Sequence, residues 1–63
     1  MTFRQASREI EKLGWWIIAA TGFTDGVRYE ATNGKFLAKG EKCYTPDEAL
    51  ASTYRAVLRK VAP

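Results

Sequence analysis

The sequence predicts an α+β fold: a two-layer αβββα domain whose three-stranded antiparallel meander carries both helices on one face. Two observations carry that expectation. Apolar residues recur at helical spacing near both ends of the chain. Between them, β-branched and aromatic stretches are divided by Asp25-Gly26 and Asn33-Gly34, both hairpin signals. At 63 residues the chain has room for one small core, so the expected domain runs over residues 1–63.

The first helix is expected over residues 2–13. Thr2 and Gln5 have the form of a capping box, in which the hydroxyl accepts the Gln5 amide and the Gln5 side chain reaches back. Phe3, Ala6, Ile10 and Leu13 make one apolar stripe, and Gly14 follows where a left-handed residue ends a helix. Arg4, Arg8, Glu11 and Lys12 fall on the solvent side.

Strands are expected over residues 15–23, 27–32 and 35–39. In the second, Val27, Tyr29 and Ala31 alternate with Arg28, Glu30 and Thr32, giving one buried and one polar face. A type I′ turn at Asn33-Gly34 pairs Thr32 with Lys35, which sends Phe36 and Ala38 to the core and Lys35, Leu37 and Lys39 outward. The second helix is expected over residues 46–61, capped by Thr45, with Pro46 at its first position and Glu48 completing a capping box. Leu50, Thr53, Tyr54, Val57 and Val61 form its inner stripe, and Arg55, Arg59 and Lys60 suit its negative end.

With both helices on one side, the other side of the sheet is open. A two-residue turn at Asp25-Gly26 places Trp16, Ile18 and Ala20 inward and Trp15, Ile17, Ala19, Thr21 and Phe23 outward. A longer loop reverses that parity, so either tryptophan could be the outward one. The expected partner-binding residues are Trp15, Ile17, Phe23, Arg28, Lys35, Leu37 and Lys39, an apolar cluster with a basic rim.

Catalytic chemistry has no support in the sequence. Histidine is absent, which removes the commonest general base and the usual Ser-His and Cys-His pairs. Cys43 has no base beside it, and Glu9 and Glu11 point in different directions on a helix. The glycines lie in turns, without the strand–loop–helix context of a phosphate-binding loop. A non-enzymatic protein without metal or cofactor is expected. The longest apolar run, Trp15–Ala20, is too short to span a bilayer, and Thr2-Phe3-Arg4 does not open a signal peptide. A lone cysteine suits a reducing compartment, so the expected address is the cytoplasm. The net charge of +3 is compatible with an anionic partner.

The αβββα order resembles the double-stranded-RNA-binding domain over nearly the whole chain, as topology. That family opens its second helix with lysines that grip phosphates. Here the matching stretch is Thr45-Pro46-Asp47-Glu48-Ala49, whose acids repel phosphate. A second resemblance lies in Ile10-Glu11-Lys12-Leu13-Gly14-Trp15, the two hairpins, and the segment from Thr45-Pro46-Asp47-Glu48-Ala49 through Ala56-Val57-Leu58. This layout is similar to small phage-encoded α-β-α sandwich proteins. That resemblance implies a phage accessory protein acting in the host bacterial cytosol. Its partner would be a host protein or ribonucleoprotein complex, and its most concrete form is an anti-CRISPR inhibitor of a nucleic-acid-binding effector. The rival readings are a small basic nucleic-acid-binding domain, limited to weak contact through the same rim, and a structural module that forms a homodimer through its open face.

Overall fold

The computed structural model describes residues 1–62; Pro63, the last residue of the expected domain, lies outside the described residues. The elements follow the expected order: α1 (Phe3–Lys12), β1 (Trp16–Phe23), β2 (Gly26–Thr32), β3 (Leu37–Lys39) and α2 (Pro46–Val61). The sheet is an antiparallel meander, β1-β2-β3, and both helices pack on one of its faces. Among the described residues no helix is long and apolar enough to cross a membrane.

Both helices start at the expected caps, α1 with a complete capping box and α2 with the Thr45 half alone, without the Glu48 return bond. The Thr2 hydroxyl accepts from the Gln5 amide at 3.1 Å, and the Gln5 side chain accepts from the Thr2 amide at 2.8 Å. Gly14 takes a left-handed φ of 82° just past the helix. At α2, Thr45 caps the Glu48 amide at 3.3 Å. Its neighbour Asp47 does something local pattern does not reveal: its carboxylate accepts the Phe3 amide at 2.8 Å. One of the unsatisfied first-turn donors of α1 is thus held by α2.

The core comprises Ala6, Ile10, Trp15, Ala31, Ala38, Leu50, Ala56 and Val57, with Ile17, Tyr29 and Tyr54 packed against it. Phe3 closes one end, its ring edge-on to Tyr29 at 5.4 Å between centroids. Half of this core is alanine, so helix and sheet approach closely. Closest of all is Gly40, where an added Cβ would meet the Thr53 hydroxyl and stand 2.8 Å from its main-chain nitrogen. Thr53 turns its hydroxyl to the carbonyls of Tyr29 and Ala49, and Ser52 accepts the Glu41 amide at 2.9 Å. Thr53 and Ser52 therefore fasten α2 to the middle of β2 and to the segment that follows β3.

Two local features differ from expectation. The first turn is Thr24-Asp25, closed by the pair Phe23↔Gly26, rather than Asp25-Gly26. Moving a two-residue turn by one position shifts strand partners by two, which preserves parity. Ala19, Thr21 and Phe23 consequently share the outer face with Arg28 and Glu30. A bulge then intervenes: Ile17 pairs with Ala31 but Ala19 with Glu30, leaving Ile18 as the extra residue. Before the bulge the faces are exchanged. Trp15 and Ile17 point to the core, while Trp16 and Ile18 point away from it.

The second difference is the β2–β3 connection. Observed pairs are Thr32↔Leu37, Ala31↔Ala38 and Glu30↔Lys39, so Asn33–Phe36 forms a longer turn and β3 is shorter than expected. Only Gly34 has positive φ there, whereas a type I′ turn needs it at both central residues. The Asn33 side chain instead accepts the amides of Lys35 and Phe36 at 2.9 and 2.8 Å. Thr32 binds across the same loop, accepting from Gly34 and donating to the Phe36 carbonyl. Side chains that hydrogen-bond their own turn override the two-residue hairpin. Phe36, expected in the core, stands in this loop at 56% exposure. Again the shift is by two residues, so Ala38 still faces inward and Leu37 and Lys39 outward.

Candidate binding face

The outer face of the sheet is built from register. Trp16, Thr32 and Leu37 form one row across the three strands; Ile18 and Ala19 lead to Glu30 and Lys39 in the next. Thr21 lies beside Arg28, and Phe23 ends β1. Trp16 is 48% exposed, Ile18 51%, Phe23 41% and Leu37 44%. The Trp16 ring reaches across to the β2–β3 turn, so that a Cβ on Gly34 would lie 3.6 Å from its edge. The indole edge thus borders the turn at one end of the face.

Cations gather at the other end. The Arg28 guanidinium lies 5.5 Å from the centre of the Phe23 ring and the Lys42 ammonium 5.7 Å from it. Arg28 Nε is buried without a hydrogen-bond partner among the described residues, so the ring rather than an acceptor steadies this side chain. Lys42 also bonds Asp25 at 3.0 Å. That hydrogen bond and charge hold the Asp25 carboxyl below its ordinary value.

Of the residues expected to bind a partner, Phe23, Arg28, Leu37 and Lys39 share the outer face, and Lys35 is exposed in the adjoining turn. Trp15 and Ile17 do not belong there. Trp15 is 2% exposed in the core, because the Ile18 bulge reverses the alternation ahead of it. Their places are taken by Trp16 and Ile18. Lys42 joins this face from a loop, over the Phe23 ring, and sequence periodicity does not reach loop residues. A shallow surface hollow lies along α1 between Phe3, Arg4, Ser7, Arg8 and Glu11, away from this face.

Comparison of the chain with protein-family models, with curated proteins and with solved structures finds no match.

Proposed function

We propose that this chain is a non-enzymatic binding module that occludes a surface on a host protein or ribonucleoprotein complex in the bacterial cytoplasm. Its most concrete form is the phage inhibitor of a nucleic-acid-binding CRISPR effector, as the resemblance to small phage proteins implies. The observation that supports the reading is the outer sheet face, where Trp16, Ile18 and Leu37 stand half-exposed at one end and Phe23 at the other. Large apolar groups on one face, bordered by Arg28, Lys39 and Lys42, have the composition of an interface core with a polar rim.

The test is plasmid interference in bacteria with an active CRISPR system. Expression of the chain should preserve a targeted plasmid, and Trp16→Ala should abolish that protection while leaving the fold intact. Loss of the plasmid across the effector types tried, with the chain expressed and folded, would remove the inhibitor form. Direct nucleic-acid binding is tested separately by fluorescence anisotropy. With Lys42 engaged by Asp25, Arg28, Lys35 and Lys39 could neutralise about three phosphates, so such binding would fall roughly 40-fold between 50 and 200 mM salt. Sub-micromolar affinity for any nucleic acid at physiological salt would replace the protein-blocking reading with the nucleic-acid-binding one.

A further inference from the structure

The sheet has two edges, and they are unlike. β3 is short and ends on Lys39, a blunt edge that resists further pairing. β1 runs the full length Trp16–Phe23 and is the one element of the fold without Lys, Arg, Asp or Glu; it contains no proline either. Its main-chain groups are directed outward at known positions. Val27 exchanges both its main-chain bonds with Cys43, at 2.9 and 3.0 Å, and the Tyr29 carbonyl accepts from Gly40 at 3.1 Å. These β2 residues therefore turn their main chain away from β1. Their partners there, Gly22 and Ala20, turn theirs the opposite way, to the open edge. Among the described residues nothing bonds them.

We infer that β1 pairs with β1 of a second copy, antiparallel about a two-fold axis at Thr21. Ala20 of each copy then exchanges both main-chain bonds with Gly22 of the other, clear of the bulge at Ile18. The two Thr21 side chains meet directly on the outer face, a favourable cross-strand pair. On the helix side the seam carries only Ala20 and Gly22, both exposed and small, so the two helical layers have room. Of the ways two copies could meet, this edge apposes the least charge. A chain of net charge +3 repels itself, and β1 is where two copies can meet without apposing charged side chains. The pairing consumes the open edge of both copies and so closes as a dimer, joining the two outer faces into one six-stranded surface. The inference does not depend on what that surface binds.

A pairing this short belongs with small reversible interfaces, with a dissociation constant on the order of 10–100 μM. Sedimentation equilibrium should give twice the chain mass of 7.1 kDa at high concentration. Gly22→Pro deletes an edge-facing donor that the two-fold uses twice, and should weaken dimerisation about tenfold or more with the circular dichroism unchanged. Register is read by Thr21→Cys with Cys43→Ser. Facing positions of this kind have Cα atoms about 4.5 Å apart, within disulfide range, so mild oxidation should yield crosslinked dimer. Thr24→Cys with Cys43→Ser, far from its own copy across the axis, should not crosslink. A monomer at about 1 mM overturns the inference. So does a dimer in which Thr21→Cys crosslinks no better than Thr24→Cys, because that dimer would use the outer face instead.

Discussion

Trp15 and Trp16 are chemically identical and adjacent, yet one fills the core and the other lies on the surface. Trp15→Ala should therefore cost ~3–5 kcal/mol, enough to unfold so small a domain, and Trp16→Ala should leave the thermal melt almost unmoved. Acrylamide quenching of the two single Trp→Phe variants checks the placement without unfolding anything: only the chain that retains Trp16 should be strongly quenched. Phe36→Ala should cost less than about 1 kcal/mol, since its ring stands in a loop. Asp25 offers a titration. Because its carboxyl is held below the ordinary 3.8, the Lys42 pairing is intact above that value and is lost as pH falls through the lowered one. Lys42→Ala should return the Asp25 carbon resonance to an ordinary titration, measured by NMR.

At the scale of elements, caps were the most legible part of the sequence. Thr2-Gln5 and Thr45-Pro46 fix both helix starts, since a cap is decided by residues three apart. Thr45→Ala should accordingly lower stability by ~1 kcal/mol in a denaturant titration. The meander and the outward facing of Leu37, Lys39 and Phe23 were legible too, because both turn errors moved the register by two. The bulge was not. Trp15–Ala20 is apolar on both faces, so alternation carries no signal there, and nothing in the local pattern marks Ile18 as the extra residue. Asn33-Gly34 misled for a related reason: the same asparagine that favours a two-residue turn can hydrogen-bond into a longer one. Close approach of elements is likewise invisible in one dimension. Gly40 looks like a loop glycine, but Gly40→Ala should cost about 3 kcal/mol or more. Thr53→Ala should fail to rescue it, because the obstruction includes the Thr53 main chain.

Across the whole molecule, the sheet is assembled from neighbours in sequence, whereas α1 is fixed by residues far along the chain. The Asp47 bond to Phe3 joins positions 44 apart, and Ile10 shares its core with Leu50 and Val57. That division has a kinetic consequence. The hairpins close short loops and can form early, while docking α1 must await α2 and pays a long closure entropy. Asp47→Ala should then act almost wholly on the unfolding arm of a stopped-flow chevron, speeding unfolding roughly fivefold for ~1 kcal/mol lost and leaving the folding arm in place. Asp47→Asn, which keeps an acceptor, should lie close to the parent chain. Equal movement of both arms would mean that α1 is already docked in the transition state. Otherwise α1 is among the last elements to settle and the first to leave.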